Sequence, residues 1–311
     1  MADLQSAFAL FGAIHMDRIA HAHEGVQADH STPGIISAQP GGVASNVARA
    51  LQHLGHQCTL VGAVGADSDG DSLLQSLRSD GIETAQIVRR PTPTSSYLAI
   101  HNPDGSLVAA LVDSKTTEAI VPNDLRLLEP SIQMSQTWII DANLPEALIT
   151  YIARNTSGRT LVANAVSPAK ASRLRSILPA IDLIFANLEE AQVLLGAVFD
   201  TAEAAAEALV KAGVDTASVT HGSKTIAAVS SLDRVLLTPL RTQIVDVTGA
   251  GDALMAGFLH ARAKGLDLQA QAEYGRAAAA LTLQQSGAAH KCLSDKALVD
   301  RLKMVQLDDI G

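Results

Sequence analysis

Cysteine, aromatic residues and positive charge are all scarce in this chain, and each scarcity closes off a class of protein. Two cysteines, Cys58 and Cys292, stand in 311 residues, and neither belongs to a C-x-x-C pair. A disulfide framework and thiolate metal spacing are therefore excluded, and two reduced thiols in a cytoplasmic protein are expected. Aromatics make up 3% of the residues and hydrophobic residues 47%, so a large core has to be built from Ala, Val, Leu and Ile. Lys and Arg total 23 against 32 Asp and Glu, a formal net charge of −9. Nucleic-acid binding rests on cations set against phosphates, so that partner is not expected. No apolar run is long enough to span a membrane. The opening stretch MADLQSAFALFGAIHMD lacks a basic region ahead of its short apolar run and reads as a first core strand, not a signal peptide.

What the chain does have is alternation. AFALFGAI (7–14), CTLVGAV (58–64), TWIID (137–141), TLVA (160–163), DLIFA (182–186) and TASVTHG (216–222) read as buried strands, most ending in small residues, Asn or Asp. Between several of them lie helical patterns. NVARALQHL (46–54) puts Val47, Leu51 and Leu54 on one face, DSLLQSLRSDG (71–81) repeats Leu73, Leu74 and Leu77, and TAEAAAEALVKAG (201–213) ends at Gly213. Such alternation predicts an α/β fold: a mostly parallel central sheet with helices on both faces and ligands at the C-terminal ends of the strands. One region breaks the pattern. AQIVRR (85–90), SSYLAIH (95–101) and SLVAALVD (106–113) have no helices between them, and NPDG (102–105) has hairpin-turn chemistry. With further strands from 15–42, they predict a small antiparallel β-sheet, a lid or interface made of segments about 15–40 and 84–116, within one domain over 1–311.

The densest motif is DVTGAGDALMAGFLHARAK (246–264). Gly249, Ala250 and Gly251 leave backbone N–H groups unobstructed where a helix begins, and a helix N-terminus attracts anions. Asp252 follows in the first turn, placed to take a proton from a hydroxyl attacking phosphorus. A plain capped helix, with Thr248 or Asp252 as cap, explains less of this seven-residue concentration. A dinucleotide fingerprint would need Gly or Ala at Leu254, and a Walker A motif fails because Ser223 separates Gly222 from Lys224. In QPGGVASNVARALQHLG (39–55), Gly41 and Gly42 open a helix with Asn46 one turn in, offering a close backbone approach and an amide that both donates and accepts. NLEE (187–190) ends a strand and could serve a phosphate-bound water or Mg²⁺; standing alone, it reads as a solvated helix start. THGSKT (220–225) is a tight turn whose small residues could pack on a nucleotide.

In this order and spacing, Gly41-Gly42…Asn46, Asn187…Glu190 and Asp246-x-Thr-Gly-Ala-Gly-Asp252 resemble the PfkB-type, ribokinase-like sugar and nucleoside kinases, over roughly residues 7–290. The resemblance implies that Asp252 is the catalytic base and that the N–H groups of Gly249, Ala250 and Gly251 form an anion hole. It implies Asn187 and Glu190 near Mg²⁺ and the phosphates, and Asp246 beside a monovalent cation, K⁺. Thr220, Gly222 and Ser223 would line the ATP site, and the small sheet would be a lid and homodimer interface. Within the family, STPGIISAQPGGVASNVARAL, TSSYLAIHNPDGSLVAAL, IIDANLPEAL and Lys170 shortly after AVS are most similar to the pseudouridine kinases. Asp17, Gly42 and Asn46 would then hold ribose hydroxyls, and Asn143, Ser167 and Lys170 the base. Three positions depart from the pattern. His15 stands where the family often has Asn, Asn164-Ala165 where pseudouridine kinases tend to show Asp-Pro, and Thr225 where another glycine is usual. The expectation is ATP-dependent phosphorylation of a ribose-containing substrate, pseudouridine foremost. The alternatives are a kinase for another nucleoside or a free sugar (ribose, fructose or a keto-sugar acid), and a catalytically silent, metabolite-binding relative.

Overall fold

The computed structural model describes residues 6–127, 129–288 and 293–308. Cys292 and the end of the region of resemblance, 289–290, lie outside the described residues. In chain order the strands are β1 (Ala7–Phe11), β2 (His15–Ala22), β3 (Gly34–Gly41), β4 (Gln57–Gly65), β5 (Ile87–Arg90), β6 (Ser96–His101), β7 (Leu107–Asp113), β8 (Thr137–Asp141), β9 (Thr160–Asn164), β10 (Leu183–Asn187), β11 (Thr216–His221), β12 (Thr225–Ser230) and β13 (Arg234–Leu237). The helices are α1 (Val43–His53), α2 (Ser68–Ser79), α3 (Lys115–Glu118), α4 (Pro130–Gln133), α5 (Glu146–Arg154), α6 (Pro168–Ala171), α7 (Leu188–Leu195), α8 (Ala202–Lys211), α9 (Ala250–Ala263), α10 (Leu268–Thr282) and α11 (Asp295–Asp308).

The large sheet runs β13-β12-β11-β10-β9-β8-β1-β4-β5. Every pairing from β5 to β11 is parallel, and only β12 and β13 join it antiparallel. Strand residues alternate between faces, so β1 sends Phe8 and Leu10 into one apolar cluster and Ala9 and Phe11 into another. The first cluster is closed by α1, α2, α9 and α10, the second by α5, α7 and α8. Both are mainly aliphatic, as the scarcity of aromatics requires. Side chains set several helix starts: Asp67 accepts the Gly70 N–H (2.9 Å), Thr201 that of Ala204 (3.1 Å) and Asp267 that of Ala270 (2.8 Å).

The small sheet has the order β3-β2-β6-β7, two antiparallel pairs joined by a parallel pairing of β2 with β6. The NPDG turn forms as expected, with Gly105 at φ 81° donating to the Asn102 carbonyl at 2.9 Å. The segment expected at 85–90 is not part of this sheet. Ile87–Arg90 pairs parallel with Gly62–Gly65 at the edge of the large sheet. The reason is α2: a helix between two strands lets them pair in parallel, so β4–α2–β5 closes as a crossover unit. The small sheet is therefore built from 15–41 and 96–113. Strand β1 also stops at Phe11 rather than Ile14, because Gly12 turns the chain against the side chain of Asp141.

The parallel strands place polar residues together at their C-terminal ends. Asp141 of β8 is in register with Asn164 of β9, and Asn187 of β10 with Thr220 of β11. Among the described residues no helix is long and apolar enough to cross a membrane.

Candidate active site

A cavity of about 710 Å³ opens at these strand ends. Its wall includes Asn164, Asn187, Thr220, Gly222, Gly251 and Asp252. Asn187, Glu190, Thr220, Gly222, Gly251 and Asp252, drawn from three separate motifs, thus meet in one place, although Asn187 and Asp252 are 65 positions apart.

Asp252 sits in the first turn of α9 and is 9% exposed. Asn46 Nδ2 donates to its Oδ2 at 2.8 Å. Burial pushes the Asp252 carboxyl up to about 7; the Asn46 bond and His15 pull against that, while Asp141 and Asp17 add to it. A carboxylate in this state is a strong base near neutral pH. Gly249 caps the helix at φ 74°, and a side chain there would run into Ala288. The first intrahelical bond is Ala253 N–H to Gly249 C=O at 2.8 Å, so the N–H groups of Gly251 and Asp252 lie ahead of the helical ladder. The Ala250 N–H is turned back to the Val247 carbonyl at 3.3 Å, unlike the expected three-residue hole. Apart from its chain neighbours and the backbone of its own helix, no described atom lies within 4 Å of a Cβ built on Gly251, so the position faces open space.

The expected substrate-side residues include two linked pairs, His15 with Asp17 and Lys170 with Asn143. His15 Nδ1 lies 2.6 Å from Asp17 Oδ1, and Gly41 packs so closely on the Asp17 carboxylate that a side chain there would displace it. Gly42 takes φ 101° against the Ala13 carbonyl. Lys170 Nζ donates to Asn143 Oδ1 at 2.6 Å, and burial lowers the lysine's pKa while Asp141 opposes the fall. Ser167 starts α6, outside the cavity wall. Asn164 accepts the Val166 N–H at 2.8 Å, and Val166 stands at φ 67° with the Ser167 N–H bonded to the Ala165 carbonyl at 2.8 Å. A β-branched residue in that region is strained, and this one lines the cavity.

Asn187 and Glu190 form a capping box on α7. The Asn187 N–H donates to Glu190 Oε2 (2.8 Å), Asn187 Nδ2 to Glu190 Oε1 (2.8 Å), and the Glu190 N–H to Asn187 Oδ1 (2.9 Å). Burial raises the pKa of Glu190. The helix-start reading of NLEE is therefore what the local geometry displays, here on a cavity wall. Asp246 lies outside that wall and ties two loops, taking N–H bonds from Thr248 (2.8 Å) and Gly287 (2.9 Å), which outweigh burial and lower its pKa. Ser223 is exposed on the β11–β12 hairpin turn, away from the wall, and Thr225 begins β12. No group of three or more His, Cys, Asp or Glu side chains gathers into a metal cage among the described residues.

Sequence reasoning passed over Asp141. It is fully buried, and its carboxylate accepts N–H bonds from Ala13 (3.0 Å), Ala44 (3.1 Å) and Asn143 (2.9 Å). Its one advance signal was an Asp closing an otherwise apolar strand.

A family model described as pfkB family carbohydrate kinase matches residues 6–296. The chain belongs to the pfkB family. A pseudouridine kinase of Escherichia coli K12 is 27% identical to this pfkB-family chain over 279 residues, covering 88% of it and 89% of the relative. A carbohydrate kinase structure from Agrobacterium tumefaciens is 33% identical, with a TM-score of 0.82, covering 96% of this chain and 97% of that one. The Arabidopsis thaliana ribokinase complexed with ribose and ATP shares the fold, with a TM-score of 0.84 at 20% identity, covering 96% of this chain and 99% of that one.

Proposed function

We propose that this sugar or nucleoside kinase transfers a phosphoryl group from ATP to the primary hydroxyl of a ribose-containing substrate, pseudouridine foremost. The observation that carries the reading is Asp252, a buried carboxylate held by Asn46 at the mouth of an open helix N-terminus on a cavity of about 710 Å³. Bound ATP supplies the γ-phosphoryl group, and Mg²⁺ on its phosphates spreads their charge. The N–H groups of Gly251 and Asp252 face the transferring group, with Gly249 and Ala250 shaping the turn. Asn46 and Asp17 orient the sugar, and Asp252 takes the hydroxyl proton. Asn187, Glu190, Thr220 and Gly222 form the ATP wall, with Ser223 on the exposed turn beyond Gly222. A K⁺ beside Asp246 belongs to the same proposal and is tested by replacing K⁺ with Na⁺.

The pseudouridine reading is supported by the E. coli relative and by Lys170 and Asn143, a polar pair behind the catalytic end. A free-sugar kinase is the second reading, favoured by Asn164-Ala165 at the base side. ADP release measured with pseudouridine, uridine, adenosine, ribose and fructose separates them, and no release with any would leave the silent-relative reading. The small sheet leaves Ile35, Ile36, Leu107, Val108, Leu111 and Val112 exposed, which supports a homodimer formed through it as a lid. Sedimentation of Leu111→Glu against the native chain tests that.

A further inference from the structure

We infer that Asp141 is a positioning residue whose carboxylate clamps together the three segments that deliver the sugar-side contacts. Its Oδ2 accepts the Ala13 N–H at 3.0 Å, two residues before His15 and four before Asp17. The same oxygen accepts the Ala44 N–H at 3.1 Å, in the first turn of α1, two residues before Asn46. Its Oδ1 accepts the Asn143 N–H at 2.9 Å and so sets the residue that receives Lys170. Two segments remote in sequence, at Ala13 and Ala44, are thus referred to one carboxylate together with the turn that follows Asp141 itself.

Two further observations fit the clamp. Helix α1 has no side-chain cap of its own: Gly42 precedes it, and Asp141 supplies the missing anion from 97 residues away. The N-terminus of α1 is therefore already occupied by a protein carboxyl group, unlike that of α9, where Gly251 faces open space. The clamp also explains Gly12. A Cβ there would collide with the Asp141 carboxylate and displace it, so glycine leaves the carboxylate in place.

The inference rests on the kinase reading for its consequence, though not for its geometry. Its test therefore has two parts. Amide hydrogen exchange is measured on the native chain, Asp141→Ala, Asp141→Asn and Gly12→Ala, each shown to be folded by circular dichroism. The amides of Ala13, Ala44 and Asn143 are expected to be protected in the native chain and to lose protection together in Asp141→Ala. They should lose it partly in Asp141→Asn, whose NH₂ must face at least one N–H, and in Gly12→Ala, where the carboxylate is displaced. Native-like protection of these amides in folded Asp141→Ala would overturn the clamp, whether or not any substrate is turned over.

The second part is kinetic, with the substrate the native enzyme uses. Loss of buried hydrogen bonds in the clamp should raise KM for the sugar-side substrate by about ten- to a hundredfold. KM for ATP should stay within about threefold, because none of the clamped residues lies on the ATP wall. Asp141→Asn should fall between the native enzyme and Asp141→Ala. Loss of folded protein alone lowers kcat and leaves both KM values in place, and that result would overturn the positioning role. If the native chain turns over nothing, the kinase reading fails and the exchange data still decide the clamp.

Discussion

Asn46 donates to Asp252 across 206 residues of sequence, at 2.8 Å, and so joins the two glycine-opened helix starts, α1 and α9, at a single carboxylate. The bond fixes the direction in which Asp252 presents its other oxygen. It also favours the ionised form against the burial that pushes the group up to about 7. The bond therefore holds the base in one orientation and favours its ionised form, while burial keeps it basic.

Removing its charge should show directly in turnover. Asp252→Asn keeps shape and one acceptor but cannot take a proton, so kcat should drop by about 10²–10⁴. ATP affinity should change little, since the α9 backbone is untouched. In the native enzyme kcat/KM should fall about tenfold per pH unit on the acid side of about 7. An Asn variant with near-normal kcat would remove Asp252 from the chemistry.

The same burial has a thermodynamic consequence of opposite sign. The folded pKa of about 7 lies above the ordinary carboxylate value of 3.8, so between those pH values the folded state binds more protons than the unfolded one. Stability then falls as pH rises through that window. Asp252→Asn should stabilise the protein at pH 8, by at most about 4 kcal/mol, and the gain should vanish near pH 4. Thermal melts of both proteins at the two pH values check it; a variant equally or less stable at pH 8 would mean the ionised carboxylate is better solvated than its burial implies.

A side chain at Gly251 should harm function without harming the fold. Beyond its chain neighbours and the backbone of its own helix, a Cβ there has nothing described within 4 Å, so Gly251→Val has room in the empty protein. The added methyls would project at the α9 N-terminus, where a phosphate must approach. Melting temperature is expected to stay close to native while turnover and ATP affinity are lost. Full activity would mean that no phosphate comes near this turn.

How far such arguments could start from sequence depends on where the information lies. TWIID and DLIFA are runs bounded by chemistry that interrupts them, so β8 and β10 were legible to within a residue. Gly249, Gly251 and Asp252 were legible because their unusual density is local. The clamp at Asp141 was not, because Ala13 and Ala44 contribute only backbone N–H groups, which any residue carries. The same holds for Val166, whose left-handed backbone is set by neighbours and not by its β-branched side chain. Strand β5 was grouped with the small sheet because four residues carry too little periodicity to reveal a parallel partner across α2. The Asn187–Glu190 box shows the converse: N-x-x-E announces a capped helix, and only the fold shows that this cap faces a cavity.

Substrate choice is the last prediction. Pseudouridine differs from uridine in its carbon–carbon glycosidic bond and an additional ring N–H, so a site that reads it needs an acceptor. Asn143 Oδ1 already receives Lys170 and Asn164 Oδ1 the Val166 N–H, which leaves their second lone pairs and the Ser167 hydroxyl to accept. Lys170 Nζ and Asn143 Nδ2 are donors and suit ring carbonyls. With uridine the acceptor would be left unpaired, at about 1–3 kcal/mol for a buried group, or roughly tenfold to a hundredfold in kcat/KM. Pseudouridine is therefore expected to exceed uridine by at least about tenfold. Lys170→Met should lower kcat/KM for pseudouridine while leaving any activity on free ribose unchanged. Equal use of the two nucleosides would remove base reading and keep the kinase. Free ribose exceeding both would place the enzyme on the free-sugar branch, with Lys170 and Asn143 reduced to a structural pair at the end of β8.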